Sequence, residues 1–257
     1  MKNIVISLKT ANARREHIQK EFGKQNIGFE FFDALTPDLA KPLAEKMQLN
    51  VEDEYLTGGE LACFMSHVSI WKKMVDEQIP YVAIFEDDIY LGKKSCDYLN
   101  CDSWLNQEWL LVKLELFNKR VVLENEKILI KQGEVSRSLI RLKNKHYGCA
   151  GYILTQNGAR SFLKKIKEHK LLIPLDHFIF DLLIKEMDGI YQLQPALCIQ
   201  DCIFYGSHEN MPSDLELLRR KRMKFFKKNG LNKLKLEVLR LINQIKLKFF
   251  GTNIEFK

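Results

Sequence analysis

Short apolar runs alternate with segments of helical periodicity along the first half of the chain. The runs at 4–8, 29–32 and 81–85 have the length of β-strands. The segments 13–22 and 60–77 repeat apolar residues at the three- and four-residue spacing of a helix face. Strands that alternate with helices in this way favour a parallel sheet with helices on its faces.

The second half of the chain continues this alternation and adds signs of antiparallel pairing. Further strands are expected at 110–116, 152–155 and 190–200, hairpins within 120–145, and helices at 157–169 and from Pro174 to about Met187. Proline followed by an acid, as in Pro174-Leu175-Asp176, is a typical helix start. We therefore predict an α/β fold with a mostly parallel mixed sheet flanked by helices.

The run from Tyr81 to Leu91 passes from an apolar strand directly into three acids, Glu86, Asp87 and Asp88. An ionised carboxylate at the end of a buried strand is costly unless a cation pairs with it. Hard divalent cations take oxygen ligands and bridge to phosphates, and ligands of open α/β sheets sit at the carboxyl ends of strands. The run therefore predicts a metal site, with a plain polar turn as the alternative.

Composition is that of a soluble globular protein, with 46% hydrophobic and 28% charged residues. Residues 217–257 carry 13 lysines and arginines against Glu237 and Glu255, a balance of +11, which leaves −4 for residues 1–216 of a chain whose net charge is +7. This asymmetry predicts a catalytic or binding body and a tail that attaches to an anionic partner.

The six cysteines form no C-x-x-C pair and show no zinc-like spacing. The first residues lack the pattern of a secretory signal, and no apolar stretch reaches the ~18 residues of a membrane span. A reduced cytoplasmic protein is therefore expected.

The tail has the pattern of a basic amphipathic helix. Beyond Gly230, apolar residues recur at three- and four-residue spacing up to Phe249, with basic residues on the flanks. Such helices lie on anionic membrane surfaces, which is the role expected here. A helix that packs on the core, a homodimer contact and nucleic-acid binding are the alternatives. Nucleic acid is disfavoured because the chain has no recognisable nucleic-acid module.

Five motifs follow one another in the body of the chain. They are Ile4-Val5-Ile6-Ser7-Leu8 with Arg14-Arg15, Gly59-Glu60-Leu61-Ala62-Cys63-Phe64-Met65-Ser66-His67, Phe85-Glu86-Asp87-Asp88, Gly148-Cys149-Ala150-Gly151-Tyr152 and Pro174-Leu175-Asp176. In this order they resemble glycosyltransferase family 25, the bacterial lipopolysaccharide and lipooligosaccharide glycosyltransferases, over about 3–216. The resemblance implies a GT-A type fold, with a nucleotide-sugar half at about 1–92, an acceptor half at about 93–216 and the helical tail at 217–257.

The same resemblance implies a UDP-sugar donor, most often UDP-galactose, a divalent metal (Mn²⁺ or Mg²⁺) and inversion at the anomeric carbon. A metal would offset the charge that develops on the diphosphate leaving group. We expect Asp88, Asp87 and Glu86 as ligands, in that order of preference. His208 is a further expected ligand, with a merely exposed loop histidine as the alternative.

Donor-binding residues are expected at the ends of the first two strands, on the helix at 60–77 and around the acids. The full set is Ser7, Leu8, Arg14, Arg15, Asp33, Ala34, Glu60, Ser66, His67, Glu86, Asp87 and Gly151. The alternatives are a solvated helix face for the two arginines, a turn cap for Asp33, and a favourable helix-dipole position for Glu60. On periodicity alone the histidine would be structural, and the resemblance favours a donor role for it and the preceding serine.

An inverting transfer needs a general base that takes the proton of the acceptor hydroxyl. We expect Asp176, in the first turn of a predicted helix, to be that base. The neighbouring His177 and plain helix capping by the acid are the alternatives.

The expected protein is a cytoplasmic enzyme, peripheral on the inner face of the bacterial inner membrane. It would move a hexose, galactose above all, from a UDP-sugar to the lipid-linked oligosaccharide of lipooligosaccharide or lipopolysaccharide. One competitor is a transferase or nucleotidyltransferase with another donor or linkage. The other is a catalytically inactive adaptor that binds a membrane surface or nucleic acid.

Overall fold

The computed structural model of the chain describes residues 1–207, 209–212, 214–225 and 231–257. In these ranges the strands are β1 (Lys2–Ser7), β2 (Glu30–Asp33), β3 (Tyr81–Glu86), β4 (Ile89–Leu91), β5 (Leu111–Lys113), β6 (Glu115–Leu116), β7 (Arg120–Ile130), β8 (Arg137–Leu142), β9 (Gly151–Thr155), β10 (Ile190–Gln194), β11 (Cys198–Gln200) and β12 (Gly251–Asn253). The helices are α1 (Asn12–Gly23), α2 (Pro37–Lys46), α3 (Gly58–Asp76), α4 (Cys96–Leu99), α5 (Gln156–His169), α6 (Leu175–His177), α7 (Ile184–Glu186), α8 (Asp201–Phe204), α9 (Asp214–Phe225) and α10 (Leu231–Phe250), with a π-helical segment (Phe178–Leu183) between α6 and α7.

A nine-stranded mixed sheet has the order β12-β7-β8-β10-β5-β9-β3-β1-β2. The predicted α/β fold, with a mixed sheet flanked by helices, is confirmed. The large sheet contains fewer parallel pairs than predicted. Within it, parallel pairing is confined to β1 with its two neighbours and to β5 with β10. The other neighbours are antiparallel, since β9 runs against both β3 and β5 and the β7–β8 hairpin extends the sheet.

A second, three-stranded sheet, β4-β11-β6, follows the carboxyl end of β3. Only Asp87 and Asp88 separate β3 from β4, so these two acids link the two sheets. Antiparallel pairing of β11 with β4 places Gln200 opposite Ile89. The predicted strand at 190–200 is thus divided between the two sheets, and this division brings Gln200 beside the acids.

The large sheet separates two apolar cores, because successive side chains of a strand point to opposite faces. On β3, Ile84 belongs to the core that contains Trp71 of α3. Its neighbour Phe85 belongs to the core that contains Phe22 of α1. Both cores contact β3, so the acids at its end are attached to a rigid part of the molecule.

The C-terminal segment begins and ends in contact with the body. Arg219 and Arg222 of α9 form ion pairs with the buried Glu60 of α3. The predicted helical tail ends at Phe250, and β12 then pairs antiparallel with β7 in the large sheet. The division of the chain at residues 92 and 216 stays a prediction, and strands from both sides of residue 92 share this sheet.

Between these two attachments, α10 exposes apolar side chains. Leu241, Ile245 and Phe249 are 57%, 57% and 72% exposed, respectively. No helix in the described ranges is both long and apolar enough to cross a membrane. The amphipathic pattern read from the sequence therefore corresponds to an apolar face that meets solvent in the isolated chain.

Candidate active site

The parallel strands β2, β1 and β3 end at one edge of the large sheet. Pairing places Asp33 opposite Ser7 and Glu86 opposite Ile6. The chain turns directly after Glu86, and Asp87 comes to lie beside Ser7, whose Oγ donates to Asp87 Oδ2 at 2.6 Å. The sheet edge predicted from the sequence therefore gathers these residues as expected for a site at the carboxyl ends of strands.

Asp87 is held from two sides. Besides the bond from Ser7, Nη1 of Arg14 donates to Asp87 Oδ1 at 2.7 Å. The same guanidinium donates to the carbonyl oxygen of Pro212 at 3.0 Å, in the segment that precedes α9. Both carboxylate oxygens of Asp87 are thus engaged by the protein, and Arg14 connects this acid to the C-terminal segment.

Glu86 and Asp88 share a single amide donor. Nε2 of Gln200 lies 3.3 Å from Glu86 Oε2 and 3.3 Å from Asp88 Oδ1. Burial and the neighbouring acids Asp88, Glu115 and Asp87 raise the pKa of Glu86 to about 8. Burial also raises the pKa of Asp88, against the effect of Arg14 and Gln200. The acidic side chains outnumber the cationic side chains that contact them, as expected of residues that hold a hard divalent metal ion.

Two buried acids that the sequence analysis did not single out lie in the same region. Glu115 Oε2 accepts from Lys113 Nζ at 2.9 Å and from the Ala150 amide at 3.0 Å. Asp201 donates its amide to the carbonyl oxygen of Asp88 at 2.8 Å. Glu115 Oε1 and Asp201 Oδ2 have no hydrogen-bond partner among the described residues. Asp201 directly follows the predicted strand at 190–200, as Glu86 follows the apolar run at 81–85, whereas Glu115 lies inside the predicted strand at 110–116 and carries no such signal.

The orphaned oxygens give a structural test of the predicted cation. An unpartnered buried oxygen is costly, and a nearby cation compensates for it. The available donors are carboxylate oxygens, which suit Mg²⁺ or Mn²⁺. The residues present therefore fit the metal implied by the resemblance. His208 lies outside the described residues, so its expected ligand role stays a prediction.

The donor-binding residues predicted at the ends of the first two strands cluster around the end of β1. Arg15 Nη2 donates to the Ser7 carbonyl at 3.0 Å, and its Nε donates to the Leu8 carbonyl at 3.1 Å. Arg15 also forms an ion pair with the exposed Asp33. The Ala34 amide donates to the same Ser7 carbonyl at 2.9 Å. The structure thus brings these five predicted donor-binding residues together, while their contact with a nucleotide stays a prediction.

Ser66 and His67 lie in the interior, both with 0% exposure. Ser66 Oγ accepts from the Leu35 amide at 2.9 Å and so joins the loop after β2 to α3. His67 Nδ1 lies 2.7 Å from the Tyr152 hydroxyl. Burial lowers the pKa of His67 to about 3, so the imidazole is neutral. Both residues are buried and bonded to protein groups, and a direct donor contact for them stays a prediction.

Glu60 is fully occupied by protein groups. Its Oε2 accepts from the Thr57 amide at 2.8 Å in a capping box at the start of α3. Its Oε1 accepts from Arg219 Nε at 2.9 Å and from Arg222 Nη2 at 3.0 Å. These contacts give Glu60 a structural role between α3 and α9, and its expected donor contact stays a prediction.

Asp176 occupies the first turn of α6 and is half-buried. Its Oδ1 accepts from the His177 amide at 2.9 Å, and its Oδ2 accepts from the Gly148 amide at 3.4 Å. Burial raises the pKa of the Cys63 thiol, and the charges of Glu86 and Asp176 raise it further. The predicted base therefore belongs to the same neighbourhood as the acids.

The two glycines of the fourth motif have packing roles. Gly148 has a φ of +80°, and a Cβ there would lie 2.6 Å from Glu115 Oε1. A Cβ on Gly151 would lie 2.2 Å from Cys198 Sγ. Only glycine fits at either position without displacing a neighbour. For Gly151 this packing explains the residue, and a donor contact stays a prediction.

Comparison with known proteins identifies the family. Residues 1–179 match the model of "Glycosyltransferase family 25 (LPS biosynthesis protein)". A "putative glycosyltransferase" of Haemophilus influenzae is 34% identical over 99% of this chain and 88% of that protein. The "lipooligosaccharide biosynthesis protein lic2B" of Haemophilus influenzae is 37% identical over 89% of this chain and 87% of its own length.

A third relative comes from another genus. The "lacto-N-neotetraose biosynthesis glycosyltransferase LgtE" of Neisseria meningitidis serogroup B is 37% identical over 84% of this chain and 81% of its own. The motifs, the acids at the sheet edge and these relatives all indicate the same family. The chain belongs to glycosyltransferase family 25 and is a transferase enzyme.

Proposed function

We propose that this enzyme moves a hexose, with galactose as the first candidate, from a UDP-sugar to the growing oligosaccharide of lipooligosaccharide or lipopolysaccharide. The observation that carries the proposal is the group of acids at and beside the end of β3, where burial raises the pKa of Glu86, Asp88 and Glu115 and the cationic partners of these acids do not compensate. A nucleoside diphosphate bridged by a divalent cation matches that deficit. The names of the relatives support an oligosaccharide acceptor.

Asp88 is the best-placed metal ligand, followed by Glu86. Asp87 has both oxygens engaged by Ser7 and Arg14, whereas the carboxylate of Asp88 accepts from one amide, that of Gln200. When bound there, Mn²⁺ or Mg²⁺ would act as a Lewis acid toward the diphosphate. The role of Asp87 would then be to hold Arg14 beside the site, rather than to rank second as a ligand.

The nucleoside would occupy the edge formed by β1 and β2. Main-chain groups around Ser7 and Leu8 suit the uracil, and Asp33 suits a ribose hydroxyl. Arg15 contacts the carbonyl oxygens of Ser7 and Leu8 and the carboxylate of Asp33, and so holds these groups close to one another. This placement leaves the diphosphate over the end of β3, next to the acids.

Asp176 would accept the proton of the acceptor hydroxyl. The hydroxyl oxygen then attacks the anomeric carbon from the face opposite the diphosphate, the bond to UDP breaks, and UDP leaves with the electron pair. A single displacement of this kind inverts the anomeric configuration. The amides of His177 and Gly148 hold the carboxylate of Asp176 in one orientation before the transfer.

Product analysis tests this function. The purified enzyme is incubated with Mn²⁺, one UDP-hexose at a time and a truncated lipooligosaccharide, and the anomeric coupling of the product is read by NMR. We expect acceptor-dependent release of UDP and a β-linked hexose, with UDP-galactose the best donor. Release of pyrophosphate would favour a nucleotidyltransferase, and an α-linked product would rule out the inverting mechanism.

We further propose that α10 attaches the enzyme to the anionic inner face of the bacterial inner membrane. The exposed apolar residues Leu241, Ile245 and Phe249 share the helix with the exposed Lys246 and Lys248. Apolar contact with the acyl region and attraction of lysine to anionic headgroups act together on such a helix.

Sedimentation with vesicles tests the membrane proposal. The wild-type chain should bind vesicles that contain phosphatidylglycerol and bind neutral vesicles much less. The variant Ile245→Gln/Phe249→Gln should lose most of this binding, whereas Leu39→Gln, an exposed apolar residue on α2, should retain it. A concentration-dependent dimer that the double variant abolishes, without vesicle binding, would favour the homodimer alternative.

A further inference from the structure

Three potential metal-binding groups meet where α3 passes the end of β3. Cys63 and His67 are four residues apart on α3 and share one face of the helix. Cys63 Sγ lies 4.0 Å from Glu86 Oε1. One ligand atom from each of the three residues lies within 4.8 Å of the other two. The spacing of the cysteines does not reveal this group, because the histidine and the glutamate complete it.

The histidine of this group has a free nitrogen. Nδ1 of His67 is 2.7 Å from the Tyr152 hydroxyl, which also accepts a bond from Trp71 Nε1 at 2.9 Å. Nε2 of His67 is buried and has no hydrogen-bond partner among the described residues. If Nδ1 donates to the phenol oxygen, Nε2 carries a lone pair. This is the arrangement of a metal-binding histidine whose other nitrogen is held by an outer partner.

We propose that Cys63, His67 and Glu86 form a second cation site that takes a thiolate-binding divalent metal of the Zn²⁺ class. Sulfur, imidazole nitrogen and carboxylate oxygen together suit Zn²⁺ or Co²⁺ and not Mg²⁺. Ligand atoms stand roughly 3.3–3.8 Å apart around tetrahedral zinc, so a small movement of the partly exposed Glu86 side chain closes the site. Binding releases the thiol proton of Cys63, and the carboxyl proton of Glu86 where that acid is protonated, to solvent, and water fills the fourth position.

Glu86 is shared between this site and the acids of the donor site. Its Oε1 faces Cys63, and its Oε2 lies 3.3 Å from the Gln200 amide that also contacts Asp88. A metal held by the thiolate therefore withdraws one carboxylate from the oxygen-rich site. If the proposed Mn²⁺-dependent function holds, Zn²⁺ should weaken nucleotide binding in the wild-type enzyme and not in Cys63→Ser.

Cobalt absorption tests the site without any substrate. The reduced full-length chain is titrated with Co²⁺ alone, and the near-ultraviolet sulfur-to-cobalt charge-transfer band is recorded. We expect the band to saturate at one equivalent of Co²⁺ and to disappear when Zn²⁺ is added. Cys63→Ser should abolish the band, and Cys202→Ser, which removes another partly exposed thiol near the acids, should leave it unchanged.

Two further variants separate this site from its surroundings. His67→Gln should weaken Co²⁺ binding at least tenfold, and circular dichroism reports whether that variant folds. Asp88→Asn should retain the band, because Asp88 belongs to the donor site. Absence of the band in the wild type, its survival in Cys63→Ser, or its loss in Asp88→Asn would overturn the proposal. A band that appears although UDP fails to bind would contradict the proposed function alone.

Discussion

At the scale of single residues, the site is defined by acids whose charges are incompletely offset. Gln200 is a neutral donor to Glu86 and Asp88, and Arg14 is committed to Asp87. Protons and any metal cation that enters therefore compete for the carboxylates of Glu86 and Asp88. The proton affinity of these acids in the absence of metal therefore reflects their burial together with the shortage of cationic partners.

The pH dependence of stability should reveal Glu86. Its pKa is raised from 4.5 to about 8 by burial and neighbouring acids. The folded state then binds the proton more tightly than the unfolded state, so the free energy of unfolding falls as pH rises between these values. We expect the melting temperature in EDTA to fall from pH 5 to pH 8, and to fall less in Glu86→Gln. Equal slopes for Glu86→Gln and the exposed control Asp38→Asn would contradict this assignment.

The base can be tested separately from donor binding. Asp176→Asn keeps the side-chain shape and should lower the transfer rate by about 10²–10⁴-fold, with UDP affinity changed by less than about twofold. The measurement is kcat with saturating donor and acceptor, together with UDP titration. If His177→Gln abolishes transfer and Asp176→Asn does not, the histidine is the base.

At the scale of elements, α9 is fastened to the start of α3. Glu60 receives both Arg219 and Arg222, and a Cβ on Gly59 would lie 3.0 Å from the side chain of Leu215. Arg222 also donates to the carbonyl oxygen of Glu54 at 2.9 Å. Helix α9 therefore covers the segment that leads into α3. Its contact with Glu60 lies one turn before Cys63.

Neutralising Glu60 should loosen this contact. Glu60→Gln leaves two arginines facing a neutral partner in a buried position, and we expect a loss of about 1–3 kcal/mol in the free energy of unfolding. Limited proteolysis within 214–225 should become faster. Arg220→Gln, on the exposed side of the same helix, should cost less than about 1 kcal/mol. Equal effects of the two substitutions on both measurements would contradict the fastening role.

At the scale of the whole molecule, the C-terminal residues complete the body. Ile254 is 5% exposed, and the Ala196 amide donates to the Glu255 carbonyl at 2.7 Å. Arg137, which is 1% exposed, donates to the Lys257 carbonyl at 2.8 Å. The basic segment is therefore anchored at both ends, with α10 between the anchors.

Removal of residues 251–257 should destabilise the whole protein. It exposes the contacts of Ile254 and deprives the buried Arg137 of an acceptor, and we expect a loss of about 3–5 kcal/mol in the free energy of unfolding. Chemical denaturation measures this loss. Lys257→Ala keeps the main-chain carbonyl and should remain within about 0.5 kcal/mol of the wild type. A truncated chain as stable as this control would contradict the structural role of β12.

Local signals in the sequence predicted much of the framework. The apolar run at 81–85 followed by acids predicted both β3 and the position of the candidate site at the sheet edge. The helical periodicity at 60–77 predicted α3 within two residues at its start and one at its end. These features depend on neighbours in the chain, which a single sequence displays directly.

Contacts between distant residues could not be predicted in the same way. Gln200 reaches Glu86 because β11 pairs with β4, and His67 meets Tyr152 because β9 runs beside β3. The sequence shows the residues on each side but not the pairing that joins them. The return of the chain into β12 escaped prediction for the same reason, since Gly251–Asn253 has little strand character of its own.

The central claim is that the acids after β3 bind a divalent cation that in turn holds a nucleoside diphosphate. Calorimetric titration of UDP into the enzyme, with and without Mn²⁺, tests it most directly, with Asp88→Asn as the altered site and Asp38→Asn as the control. We predict that UDP binds at least tenfold more tightly with Mn²⁺ to the wild type and to Asp38→Asn, and that Asp88→Asn removes this gain. Equal UDP affinity in all three proteins, with or without Mn²⁺, would contradict the claim.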